Sequence, residues 1–135
     1  LRLDCDISLA GWDDYNMEYP DIKTQALIVE MILNKRTEES IQLLSRFYNI
    51  HPPEIVVGTI KGKRKTVRAV YVGKERRIYA INSDIFYNPL IILHEFYHHL
   101  RYRGMEHRGS EKGADKFASR FIDSYRFLKM QKNRL

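Results

Sequence analysis

Residues 94–98 read His94-Glu95-Phe96-Tyr97-His98, the pattern H-E-x-x-H. On a helix, side chains four apart lie about 40° from one another, so His94 and His98 present their imidazoles to one point. A tetrahedral metal such as zinc takes its first two nitrogen ligands in that way. Glu95 lies about 100° further round, near enough to reach a water at the metal without binding the metal itself. The chemistry implied is that of a metal-bound water with Glu95 within reach of it. With five His and nine Glu in 135 residues, composition alone would produce the pattern in roughly one such chain in a hundred.

Two histidines need a third protein ligand, and three downstream residues qualify: His107, Glu111 and Asp115. Glu111 and Asp115 lie on the flank of the helical apolar stripe Ala114, Phe117, Ala118, Phe121, Ile122, Tyr125 and Leu128. A carboxylate pair at the edge of a buried face needs a cation or a hydrogen-bond donor. Glu111 also stands where a helix N-terminus favours an acid, and Asp115 could pair with Lys112 or Arg103. His107 falls in the short loop between two helices. The metzincin pattern would need a glycine at 101 and a histidine at 104, where this chain has Arg101 and Gly104; that class is excluded. Were such a site to hydrolyse an amide, it would also need a donor for the developing oxyanion. His99, Tyr102 and His107 are close enough in the chain to be considered, and the sequence does not choose among them.

These residues have to be held by a small α+β domain. Asp21 to about Lys35 carries apolar residues at 22, 26, 29 and 33, a helical stripe. Thr37 is the expected N-cap of a second helix burying Ile41, Leu44 and Tyr48, with Leu43 and Phe47 beside them. His51-Pro52-Pro53 stops it. Strand-like runs follow at Glu54–Ile60, Thr66–Val72 and Arg77–Asn82, rich in β-branched residues and separated by turns at Gly62 and Gly73. A short, mostly antiparallel meander is expected. Asn88-Pro89 reads as an N-cap and first helical residue, opening the H-E-x-x-H helix, which should end near Arg103 with Gly104 after it. On that helix Ile92, Leu93, Phe96 and Leu100, with Pro89, fall opposite the histidines, so one face is core and the other faces a cleft. Ser110 is the N-cap of a final helix running to about Lys132. The division is thus an acidic segment 1–20, a helical part 21–53, a sheet 54–82, the H-E-x-x-H helix 88–103 and a glutamate helix 110–132, all within a single domain.

The chain carries 23 Lys+Arg against 17 Asp+Glu, a formal charge of +6, with 44% hydrophobic residues. That is the balance of one folded domain, not of a disordered chain. No apolar run approaches the roughly 20 residues of a membrane span. Cys5 is the only cysteine, which excludes an internal disulfide and any cysteine-based zinc finger. Leu1-Arg2-Leu3-Asp4-Cys5-Asp6 does not look like a secretory signal, and a cytoplasmic setting is the expectation. Residues 1–21 hold six acids against Arg2, residues 61–77 eight bases against Glu75, and residues 112–135 seven bases against two acids. The basic stretches could contact nucleic acid, 61–77 above all, or form an ordinary turn and a solvated helix face. The acidic, aromatic segment Gly11–Tyr19 could fold back as a lid or pro-segment, or simply pack Trp12 into the core.

His94-Glu95-x-x-His98, followed by Glu111-x-x-Ala114-Asp115-x-Phe117-Ala118, resembles the gluzincin metallopeptidases, and within them the small ImmA/IrrE-type and minigluzincin members. The resemblance spans about residues 54–125. It implies a zincin-like fold and a zinc ion held by His94, His98 and Glu111. It implies Glu95 as general base, and Asp115 as the acid that orients a ligand histidine without touching the metal. It implies that the strand before the active helix, Arg77–Asn82, is the edge on which substrate backbone is laid. The implied activity is cleavage of a protein or peptide substrate, with transcriptional regulators as one class of target. A different class of function stays open: a zinc-stabilised module that binds nucleic acid or protein without peptidase activity.

Overall fold

The computed structural model describes residues 17–58, 68–102 and 108–134. Among them the elements run α1 (Ile22–Leu33), α2 (Thr37–Phe47), β1 (Glu54–Val57), β2 (Ala69–Val72), β3 (Arg77–Ala80), α3 (Ser83–Phe86), α4 (Pro89–Tyr102) and α5 (Glu111–Arg134). The α+β layout expected from the sequence is the one observed. No described helix is long and apolar enough to cross a membrane.

The helix starts follow from local chemistry. Asp21 accepts the Thr24 N–H at 2.8 Å, Asn88 accepts that of Ile91 at 3.2 Å, and the Ser110 hydroxyl accepts that of Gly113 at 2.9 Å. Thr37 departs from expectation. Arg36 takes the N-cap position, and Thr37 is buried inside the first turn of α2, its hydroxyl donating to the Phe86 carbonyl at 2.9 Å. Thr37 therefore ties α2 to α3. The stripe on α1 also shifts. Ala26 and Val29 are buried as expected, but Ile22 and Leu33 are exposed, and Gln25, Ile28 and Ile32 complete the buried face. Gln25 is part of that face because its amide donates to the Pro20 carbonyl at 2.7 Å and accepts from the Ser124 hydroxyl at 2.8 Å. A polar residue satisfied by two partners can face the core, where a hydrophobic pattern would not place it.

The sheet is not a meander. Its order is β1-β3-β2, with β1 parallel to β3 and β2 antiparallel to it. A meander would put β2 in the middle. Here Ile78 and Ala80 of β3 are fully buried, and the most buried strand takes the centre. The 3₁₀ turn Gly73–Glu75 and left-handed Arg76 (φ 52°) join β2 tightly to β3, as the turn at Gly73 led one to expect. The parallel β1–β3 pair cannot be closed by a two-residue turn. One consequence corrects the expected substrate edge: β3 is paired on both sides and has no free edge. The turn expected at Gly62 lies outside the described residues.

The core is built on α4 and α5. Ile92, Leu93, Phe96 and Leu100 on α4, and Ala114, Phe117, Ala118 and Phe121 on α5, are fully buried. Phe117 is the hub: its ring lies within 4.9–6.4 Å of Phe121, Tyr97, Tyr19, Phe96 and Tyr48. The other face of α4 is covered as well, with Tyr97 and His98 buried, because α5 and β2 pack over it. Met17 is buried and Tyr19 packs on α5, with the Arg120 guanidinium 4.2 Å from its ring centre. Trp12 and Cys5 lie outside the described residues, as do the lid reading for Gly11–Asn16 and residues 61–67 of the basic stretch.

Candidate metal centre

His94 and His98 come from consecutive turns of α4, and Glu111 from the first turn of α5. One ligand atom from each lies within 4.8 Å of the others. Gly113 lies where the two helices meet. A Cβ there would overlap the Tyr97 hydroxyl oxygen, so with any larger residue either the Tyr97 side chain or the start of α5 has to shift. Gly109 contributes differently. It sits at φ 78°, in the left-handed region, where a Cβ would also stand 2.7 Å from the Tyr97 ring. That turn sends the chain from α4 into α5.

Hydrogen bonding fixes how each imidazole faces. His98 is fully buried, and its Nδ1 lies 2.7 Å from the Arg108 carbonyl. A carbonyl only accepts, so Nδ1 carries the proton and Nε2 keeps a lone pair. His98 Nε2 has no hydrogen-bond partner among the described residues, although Glu111 Oε2 is 3.0 Å away. His94 Nδ1 lies 2.8 Å from Asp115 Oδ1, which likewise claims the Nδ1 proton. The His94 Nε2 lone pair then points at Glu111 Oε1, 2.8 Å away. A lone pair aimed at a carboxylate oxygen is repulsive unless a cation or proton lies between them. Two Nε2 lone pairs and a carboxylate meeting at one place fit a metal ion.

Burial pushes the His98 imidazole below its ordinary value and so favours the neutral, ligating form. Glu111 is exposed; its carboxyl is held low, against a desolvation penalty, by the adjacent His94 and His98 imidazoles and by Arg108. Glu95 is different in kind. It is buried, its Oε1 has no hydrogen-bond partner among the described residues, and its Oε2 lies 3.9 Å from His94 Nε2. Burial pushes its carboxyl up to about 7, against smaller lowering effects of His94 and Arg108.

The structure brings together the residues that the sequence singled out at the core of the site: His94, Glu95, His98, Glu111 and Asp115. It separates two of the expected transition-state donors from it. His99 is buried with both ring nitrogens engaged, Nε2 at 2.7 Å from the His51 carbonyl and Nδ1 at 2.8 Å from the Tyr71 hydroxyl. Since Nε2 must donate to the carbonyl, Nδ1 accepts from Tyr71, and His99 fastens α4 to β2 with no proton to spare. Tyr102 lies against Gly73 and edge-on to Tyr71, in a pocket shared with His51, Arg76 and His99. None of the metal-directed side chains lines that pocket. His107 lies outside the described residues.

One residue at the site was missed. Arg108 donates from Nη2 to Glu111 Oε2 at 3.2 Å and from Nη1 to the Tyr71 carbonyl at 3.2 Å, while its own carbonyl orients His98. No local pattern marks it, because its partners come from three different elements. Comparison with known proteins found no matching family model, no matching curated protein and no matching solved structure.

Proposed function

We propose that this chain is a zinc-dependent metallopeptidase of the gluzincin type, hydrolysing peptide bonds of a protein substrate. One observation carries the reading. Two imidazoles, each with Nδ1 committed to an oxygen acceptor, aim Nε2 at the Glu111 carboxylate, with the buried carboxylate of Glu95 beside them. A structural zinc site is normally closed by four protein ligands, whereas three ligands beside a general base are the arrangement of hydrolytic sites. Zinc bound there supplies a Lewis acid that polarises the scissile carbonyl and makes water more acidic.

The remaining work falls to the chain's own groups. Glu95 takes a proton from the attacking water and returns it to the leaving amine. Asp115 and the Arg108 carbonyl hold the two imidazoles in the ligating tautomer. The substrate backbone is laid on β2, not β3. Ile81 N–H bonds the Arg68 carbonyl, and Arg68 and Ile81 are the next pair along the β2–β3 register. Alternation then turns Val70 and Val72 toward β3 and turns the N–H and C=O of Ala69 and Tyr71 away from it, where the Tyr71 C=O accepts from Arg108 and the pair on Ala69 takes substrate backbone.

The test is metal content by mass spectrometry on the wild type and Glu111→Ala, together with cleavage of fluorescein-labelled casein. One zinc per chain, lost or weakened in the variant, with zinc-dependent cleavage, is the expected result. Absence of zinc from both proteins would overturn the reading.

A further inference from the structure

The hydrolytic reading leaves one role unfilled, a donor for the negative charge that develops on the scissile carbonyl oxygen. His99 has no proton free, and Tyr102 lies in a different pocket. Arg108 has the geometry. Its guanidinium is fixed at two points, Nη2 on the ligand carboxylate of Glu111 and Nη1 on the outward-facing Tyr71 carbonyl of β2, each at 3.2 Å. Those points lie on β2, at the edge turned away from β3, and on the first turn of α5. A guanidinium carries five N–H groups in one plane, and these contacts take two of them. The side chain is 35% exposed, so it is anchored yet open to solvent. A cation held rigidly in advance beside the reacting carbonyl gains most as that oxygen becomes negative.

We infer that the Arg108 guanidinium is the oxyanion donor of this site, a catalytic residue additional to Glu95; the inference rests on the hydrolytic reading above. Water adds to the carbonyl carbon, and the C=O electron pair moves onto oxygen, which accepts N–H bonds from Arg108. Collapse re-forms C=O and breaks the C–N bond, and Glu95 delivers the proton taken from water to the departing amine. The products are a carboxylic acid and a free amine. The role belongs to the side chain alone. The Arg108 carbonyl orients His98, and substitution leaves that carbonyl in place, so the two contributions can be separated.

The experiment compares zinc-loaded wild type, Arg108→Gln and Arg108→Lys by calorimetry. Each is titrated first with zinc and then with N-phosphoryl-leucinamide, a tetrahedral anion that mimics the addition geometry. Cleavage of labelled casein is measured alongside. Arg108→Gln should bind zinc within about threefold of wild type and the phosphoryl compound about 100-fold more weakly, with kcat reduced about 10²–10³-fold and KM little changed. Arg108→Lys, which keeps charge but not the fork, should recover part of the loss. Wild-type affinity of Arg108→Gln for the phosphoryl compound would overturn the assignment. So would zinc affinity falling in step with it, since Arg108 would then only support Glu111. If the wild type binds zinc but neither binds the compound nor cleaves casein, the hydrolytic reading itself fails and takes the donor role with it.

Discussion

Glu95→Gln separates what the buried carboxylate does for chemistry from what it costs the fold. In the metal-free protein burial raises the Glu95 carboxyl from 4.5 to about 7; at ~1.36 kcal/mol per pH unit, ionising it in the folded chain costs about 3 kcal/mol. The folded chain holds this proton more tightly than the unfolded chain does. Stability from Glu95 is therefore fully present below about pH 4.5 and drains away as pH rises to about 7. Glutamine keeps the shape and never ionises. The metal-free variant should match wild type near pH 4.5 and become more stable by about 3 kcal/mol above pH 7. Urea unfolding of both proteins across pH 4.5–8.5, in chelator, measures the difference, and the titrations the two proteins share cancel from it. The zinc-loaded variant should keep its metal, since Glu95 is not a ligand, and lose about 10²–10⁴-fold in casein turnover. A stability difference that does not change with pH would refute the buried-carboxylate reasoning. Parental turnover in the variant would refute Glu95 as the base.

Asp115→Asn removes the negative charge of the acceptor that fixes His94, so zinc affinity should fall about 10–100-fold with little change in melting temperature, read by chelator competition. Gly113→Ala forces a methyl against the Tyr97 hydroxyl; it should weaken zinc binding more than Asp115→Asn does, and equal affinity in the two variants would show that the helix approach is not limiting. Phe117→Ala empties the centre of the aromatic cluster and should cost about 3–5 kcal/mol in urea unfolding. Burial holds the His99 imidazole below its ordinary value, so the unfolded chain binds that proton more readily. Below about pH 6.5 His99 should therefore make the metal-free protein less stable by up to ~1.4 kcal/mol per pH unit, a slope that His99→Asn flattens.

The candidate ligands were legible in the sequence because their spacing is a property of single helices. His94 and His98 need only a four-residue interval, and Glu111 and Asp115 need only α5's apolar stripe to show which flank they occupy. The capping of α4 and α5 at Asn88 and Ser110 was legible for the same reason. What stayed hidden depends on packing between elements. The order β1-β3-β2 is decided by which strand is most buried, and no local turn reports that. The misplaced substrate edge follows from it, since choosing β3 over β2 is a statement about neighbours. Thr37 and Gln25 defied their pattern because each found partners far along the chain, at Phe86 and at Ser124. Arg108 combines all of these: an arginine in a loop carries no signal until β2, α4 and α5 surround it.

The arrangement also places the strain where chemistry would use it. Among the described residues, three buried side-chain atoms lack a hydrogen-bond partner, and two of them are Glu95 Oε1 and His98 Nε2. Each such atom costs about 1–3 kcal/mol, in a domain whose whole stability is on the order of 5–15 kcal/mol. A fold selected only for stability would fill these positions with apolar side chains, as it does at Phe96 between them. Keeping them polar makes sense if a cation returns the energy on binding. Zinc at about 1,000 times its dissociation constant would add ~4.1 kcal/mol, comparable with the penalty of the two atoms together. Exposed Glu111 and Asp115 fit the same logic. His98 is locked from within by the Arg108 carbonyl and His94 from the surface by Asp115, and the carboxylates sit where a metal can enter and the ligand set can close around it.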